Sequence, residues 1–255
     1  MKAALSILGV PIHDVDFNGA CAQVAAWLDE PGARQIATVN PEFIMTARRD
    51  PAFAAALRHA DLNVPDGVGV LWAARRLGRP LRERVGGADL MLRLCERAAA
   101  AGWRVFLLGA GEGVAARAAE ILAGRYPGLV ICGAHAGSPA DDAATDITAR
   151  IRAARPQLLF VAYGAPAQDL WLSRNLSDCL SRGDTAPGLV GMGVGASFDY
   201  LTGVQKRAPA WAQQAGLEWL YRLLRQPWRL RRQMALPRFA ALVMLESLRG
   251  AGRMP

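Results

Sequence analysis

The sequence predicts an α/β protein whose Rossmann-like, mostly parallel sheet is covered by helices, with a basic helical appendage at its C-terminal end. Two observations carry this. Short apolar runs alternate with Ala-, Leu- and Arg-rich stretches of about 10–15 residues, the pattern of βαβ units. The apolar runs end in polar or glycine-rich turns, namely TVN, LLGAGEG, VAYGAPAQ and GMGVGAS. At 255 residues and 52% apolar composition, the chain is long enough for a large core.

The elements follow in order. MKAALSILGVPIHDVD carries one Lys and a short apolar stretch, and it runs into acidic residues without a small-x-small cleavage site. It reads as a first strand rather than a signal peptide. Strands are expected at Gln35–Val39, Val105–Leu108, Leu129–Cys132, Leu158–Tyr163 and Leu189–Met192. Helices are expected at Gly19–Leu28, Glu42–Asp50, Pro51–Ala60, Gly69–Leu77, Leu90–Ala101, Gly113–Tyr126, Ala143–Ala154 and Gln168–Leu180. Ligands of open parallel sheets bind at the carboxyl ends of the strands, so the turns named above locate a site.

Composition shifts near Thr202–Pro209, dividing the chain into a body, 1–204, and an appendage, 205–255. The net charge is +8, and residues 205–255, with ten Lys/Arg and two Asp/Glu, carry all of it. Pro227 and Pro237 should break the appendage into three short helices. Its arginines alternate with Trp211, Trp219, Tyr221 and Trp228, a mixture suited to an anionic membrane surface. The longer apolar runs, such as Phe239–Leu245, fall short of a membrane span. Four scattered cysteines, without C-x-x-C or Cys/His spacing, read as reduced thiols of a cytoplasmic protein. No metal site is expected.

Several motifs could carry chemistry. Gly109-Ala110-Gly111-Glu112-Gly113 follows a strand and opens a helix, as a phosphate cradle would. It departs from the dinucleotide fingerprint at Val114, and no ribose-binding acid follows. Gly191, Gly193, Gly195 and Ser197 form a second loop of the same kind. Val64-Pro65-Asp66-Gly67 is a turn signature, or a carboxylate presented as general base. Asp14-Val15-Asp16 fits a helix N-cap better than a metal pair. His135 reads as a structural residue or a ligand contact after a strand. Thr38 and Asn40 end a strand and could cap the next helix or face a substrate.

These residues together resemble the WecG/TagA/CpsF glycosyltransferases. The similarity spans about residues 5 to 240, through TVNPEFIMTARRDP, VPDGVGVLWAARRLGRPLRERVGGADLM, LLFVAYGAPAQDLWL and GVGASFDYLTGVQKRAPAWAQQAGLEWLYRLLRQPWRLRRQ. The resemblance implies a bacterial enzyme, peripheral on the inner face of the cytoplasmic membrane. Such an enzyme moves a sugar from a UDP-sugar to a polyprenyl-diphosphate-linked sugar with inversion and without a metal. It would serve synthesis of teichoic acid, exopolysaccharide or another envelope polymer. Carried onto this chain, the general base is Asp66, and Thr38 and Asn40 stand beside it. Arg84 of ERVGGADL and Gln168 of GAPAQ bind substrate, and Arg207, Arg222 and Arg229 reach the diphosphate. His135-Ala136-Gly137-Ser138-Pro139 departs from the family's His-His-Gly-Tyr-Phe run, which bears on donor choice. Ser181–Pro187 is a longer surface loop than usual.

Two other readings exist: an NAD(P)-dependent oxidoreductase, whose fingerprint is missing, and a nucleic-acid binder, whose body should be basic and is not. No nucleic-acid partner is expected. The donor sugar, the terminal sugar of the acceptor, the pathway and self-association into a homo-oligomer stay open.

Overall fold

The computed structural model describes residues 3–180, 187–209, 211–212, 218–225 and 234–251. It is an α/β fold built on a six-stranded parallel sheet, with helices on both faces in a Rossmann-like arrangement. The sheet consists of β3 (Ala33–Val39), β4 (Leu62–Pro65), β5 (Arg104–Gly109), β6 (Val130–His135), β7 (Leu158–Ala162) and β8 (Leu189–Gly193), in the order β4-β3-β8-β7-β5-β6. The central strands β7 and β8 are buried at every residue, as expected where helices cover both faces.

Three local departures from the sequence reading have physical causes. The N-terminal stretch is not one strand but an antiparallel hairpin, β1 (Leu5–Ile7) and β2 (Val10–Ile12), outside the main sheet. It turns at Leu8-Gly9, both with positive φ. The strand β4 escapes pattern reading because it is only four residues long, and one of them, Asn63, is polar. Asn63 is nonetheless fully buried; its amide donates to the Leu57 carbonyl at 2.7 Å and its N–H to His13 Nδ1 at 2.9 Å. Strand β6 runs on to His135, so that residue belongs to the strand rather than to the loop after it.

The helices sort by face. On one side α1 (Phe17–Leu28), α5 (Gly87–Ala101), α6 (Val114–Arg125) and α9 (Ser197–Thr202) bury Val24, Leu94, Leu122 and Phe198 against the sheet. On the other side lie α2 (Pro41–Ala47), α3 (Pro51–His59), α7 (Ala144–Ala154) and α8 (Ala167–Asn175), which supply Ile44, Phe53, Ile151 and Trp171. Helix α4 (Val68–Arg76) packs its Val70, Ala73 and Ala74 into the cluster shared by the hairpin, α2 and α3. Side-chain caps set several starts: Asp16 Oδ1 accepts from the Gly19 N–H at 2.6 Å and Asp50 Oδ1 from the Ala52 and Phe53 N–H groups at 3.0 Å. Asp14 takes a different role, pairing with Arg82 at 3.0 Å. The cysteines are unpaired, and burial pushes each thiol up, Cys95 and Cys179 to about 12.

In the appendage, α10 (Glu218–Arg225) and α11 (Ala235–Ala251) are described. Pro237 does not break α11. It stands in the first turn, where its missing N–H has no carbonyl to serve. Helix α11 lies across α2 and α4 and drives Phe239 and Val243 into their core, at 2% and 0% exposure. Each such side chain contributes roughly 1.5–3 kcal/mol. Pro227 and residues 181–186 of the expected surface loop lie outside the described residues.

One carboxylate sits wholly inside. Asp169, in the first turn of α8, is 0% exposed, and neither of its oxygens has a hydrogen-bond partner among the described residues. Burial pushes its pKa up to about 7. Because the folded value is raised, the acid favours the fold while it stays protonated in both states. That contribution is lost as pH rises from about 4 toward 7. Asp169→Asn is expected to lessen the fall in thermal midpoint between pH 5 and pH 8, and to leave the variant more stable than the parent at pH 8; equal slopes in thermal melts at the two pH values would contradict this.

Candidate active site

A cavity of about 640 Å³ opens at the carboxyl ends of β4, β3, β8 and β7. Its floor is built from the residues at those strand ends: Thr38, next to last in β3, and Asn40 just after it, Asp66 after β4, Tyr163 after β7 and Val194 after β8. Because all the strands are parallel, the helices that follow them also begin here. The starts of α4, α8 and α9 line the same space, and the start of α5 is brought to it by the segment that follows α4. Helix N-termini favour anions.

Asp66 is fixed by the segments around it. Its N–H donates to the Val39 carbonyl at 2.8 Å, and its Oδ2 accepts from the N–H of Gly87, the first residue of α5, at 3.3 Å. The next residue, Gly67, has φ of +113°, which carries the chain sharply from strand into α4 and which other residues resist. Gly87 has a different reason to be glycine: a Cβ there would stand 2.9 Å from Thr38 Cγ2. Thr38, buried at 6% exposure, thus touches the start of α5. Asn40 is both a cap and a cavity residue, since its Oδ1 accepts from the Phe43 N–H at 3.1 Å and starts α2. Arg84 lines the cavity just before α5.

Gln168 works from beneath. Nearly fully buried, it accepts at Oε1 from the Gly195 N–H at 2.9 Å. Gly193 packs directly on its side chain, and Gly191 packs on Leu172 and Leu176. Of the second glycine loop, Gly195 and Ser197 line the cavity, and the Ser197 hydroxyl donates to the Val194 carbonyl at 2.6 Å. Gly191 and Gly193 shape the strand below the cavity rather than lining it. The loop at Gly109 and Gly111 is not part of the lining either; Gly109 lies against the Ala162 backbone. His135 is also elsewhere, in a separate hollow of about 260 Å³ with Gly137, Asp146 and Arg150.

The appendage closes one side. Arg207 lines the cavity, but its guanidinium grips Asp89 of α5 in a fork, Nη1 to Oδ1 and Nη2 to Oδ2, each at 2.7 Å. Such a bidentate pair fixes orientation as well as charge. Arg222 stands on α10, and Arg229 lies outside the described residues.

The structure adds cavity residues that the sequence reading passed over. Asp89 sits in the same ERVGGADL stretch as Arg84, and it was the third charge of that motif, after Glu83 and Arg84. Asp199, in the first turn of α9, lines the cavity too; burial raises its pKa, and the Gln205 amide, donating to Oδ2 at 2.7 Å, opposes the shift. Its signal was an acid opening the helix after a glycine loop. Val68, Trp72, Leu236 and Phe239 add an apolar wall. Among the described residues no group of three or more His, Cys, Asp or Glu side chains is arranged to hold a metal ion, and no helix is long and apolar enough to cross a membrane.

Comparison with known proteins agrees over nearly the full length. The model of the glycosyl transferase WecG/TagA/CpsF family matches residues 5–253. A Bacillus spizizenii (strain W23) protein is 34% identical over 240 residues, which cover 92% of this chain and 90% of the relative; it is named N-acetylglucosaminyldiphosphoundecaprenol N-acetyl-beta-D-mannosaminyltransferase. A Bacillus subtilis (strain 168) protein of the same name is 33% identical over 222 residues, covering 86% of this chain and 82% of its own.

Replacing Gly87 tests how tightly the site is packed. Gly87→Ala forces Thr38 or the start of α5 to move, and overpacking of this kind costs about 1–3 kcal/mol. A urea midpoint equal to that of the parent would show that the contact yields freely.

Proposed function

The chain belongs to the WecG/TagA/CpsF glycosyl transferase family, and from that premise we propose that it moves a hexose or N-acetylhexosamine from a UDP-sugar to a sugar linked to polyprenyl diphosphate. The named activity of the two relatives makes an N-acetylmannosamine donor and an N-acetylglucosamine acceptor the first pair to try. One observation carries the reading: a carboxylate, Asp66, stands in a cavity onto which several helix N-termini converge. Both proposed substrates bear a diphosphate, and that electrostatic setting favours one.

The reaction is a single displacement. Asp66 takes the proton of the acceptor hydroxyl as that oxygen bonds to the anomeric carbon, and the bond from that carbon to the UDP oxygen breaks on the opposite face. The configuration inverts, and UDP leaves with the bonding pair. Charge growing on its β-phosphate is met by backbone N–H groups and by Arg84, a forked donor suited to phosphate oxygens. Gln168 contributes by holding the Gly195 turn in place. Arg207 contributes by tying the appendage to α5. Arg222 and Arg229 are assigned to the acceptor diphosphate on the strength of the family resemblance. No divalent cation takes part; in keeping with this, Asp14 and Asp16 of the one D-x-D pair are engaged in an ion pair and a helix cap.

The protein works from a membrane surface, peripherally on the cytoplasmic face, in assembly of a cell-envelope polysaccharide. The basic charge of residues 205–255 and the exposed Trp211 support this.

UDP release from a panel of UDP-sugars, with a short-chain polyprenyl-diphosphate N-acetylglucosamine acceptor, tests the reading. Release should require the acceptor, favour one donor and survive EDTA; failure of every donor together with failure to bind UDP would overturn it. Asp66→Asn should lower kcat roughly 10²–10⁴-fold with the thermal midpoint preserved. Turnover near that of the parent would exclude Asp66 as the base.

A further inference from the structure

The cavity has a polar floor and one wall that is not polar. Val68 and Trp72, one turn apart on α4, face it with 45% and 40% of their surface exposed. Leu236, Phe239 and Ala240, from the start of α11, which packs on α4, line it as well. Large side chains left this open beside a carboxylate-bearing cavity are costly in water and call for an apolar occupant.

Helix α11 shows where that occupant comes from. Its inner side is buried through Phe239 and Val243. Its outer side is apolar as well: Pro237, Ala241, Leu245 and Leu248 are exposed at helical spacing, with Leu248 at 62%. Arg238 and Arg249, both exposed, stand at the two ends of this stripe. A helix apolar on both sides and set with basic residues fits the plane of a membrane interface, outer side down. The cavity wall and the outer stripe are therefore two sides of one helix.

Building on the transfer reading above, we infer that the wall formed by α4 and α11 is the seat of the first isoprene units of the acceptor lipid, which enters sideways from the bilayer along α11. The diphosphate then lies among the helix N-termini, and the lipid leaves along Trp72 and Leu236. Specificity thus includes the lipid, and a sugar diphosphate without a prenyl chain is a poor acceptor.

Two measurements test this on the full chain in detergent micelles. The first uses a polyprenyl-diphosphate N-acetylglucosamine probe with a diazirine in its second isoprene unit, and it needs no turnover. Irradiation followed by peptide mapping should place adducts on residues 68–76 and 235–243, and the unlabelled probe should compete them away. Adducts confined to other segments, or irradiation that only joins two copies of the chain through α11, would overturn the assignment. The second uses Trp72→Gln, an uncharged change at an exposed position beyond the first turn of α4, whose folding is checked by circular dichroism. The acceptor KM should rise tenfold or more, with donor KM and kcat little changed. With an acceptor in which a methyl group replaces the lipid, variant and parent should become equal. An unchanged KM for the prenylated acceptor would sink the proposal. The two readings fail separately: labelling of α4 and α11 without UDP release would keep the seat and reject the transfer, whereas release with adducts elsewhere would do the opposite.

Discussion

The parallel alignment of the six strands is the constraint on which the rest depends. An antiparallel sheet would alternate strand ends between its two edges. Here every carboxyl end, and the start of every helix that follows a strand, falls on one edge. That edge opens where neighbouring connections leave for opposite faces: α8 follows β7 onto the face of α3 and α7, whereas α9 follows β8 onto the face of α5 and α6. The cavity lies along this divide. Fixed dipoles thus surround it before any side chain is chosen, and the side chains add the chemistry.

The long connection from β4 to β5 gives the cavity its roof. It runs through α4 and the ERVGG stretch into α5, so that the N–H of Gly87 meets Asp66 and Asp89 meets Arg207. Glycine at 87 is needed because the α5 backbone approaches Thr38. One crossing segment therefore orients the proposed base, supplies Arg84 and anchors the appendage. Beneath the cavity, Gln168 makes a second fixed point, where its Oε1 accepts the Gly195 N–H and holds α8 to the turn that starts α9.

Much of this was legible from residues, and the exceptions have reasons. The alternation of apolar runs with helical stretches gave the parallel sheet, and the strand-end turns gave the edge on which the cavity forms. Asp66, Thr38, Asn40, Arg84, Gln168, Gly195, Ser197 and Arg207 do share one cavity. The glycines were harder. Gly109 and Gly193 look like loop glycines in sequence, yet each is small because a neighbour presses on it, the Ala162 backbone or the Gln168 side chain. Packing between distant segments leaves no local signature. Strand β4 was invisible because a buried Asn63 breaks its apolar run, and only the fold supplies that amide with its partners. Pro237 misled for the opposite reason. Proline reads as a breaker, but its effect depends on position, and the first turn of a helix tolerates it.

Charge raises a final question: how can a cavity lined by Glu42, Asp66, Asp89 and Asp199 accept the diphosphate of the proposed substrates? Unengaged, four carboxylates would repel a diphosphate at close range, where the screening of bulk water is reduced. The three aspartates are already engaged. Asp89 is matched by the Arg207 fork, Asp66 accepts an N–H at the start of α5, and Asp199 accepts the Gln205 amide. The helix starts and Arg84 line the same cavity, and helix N-termini favour anions. On this view Arg207, counted by composition among the cations of a basic tail, acts chiefly by neutralising an acid of the body. The cationic character of the site then depends on where the appendage sits as much as on how many arginines it carries.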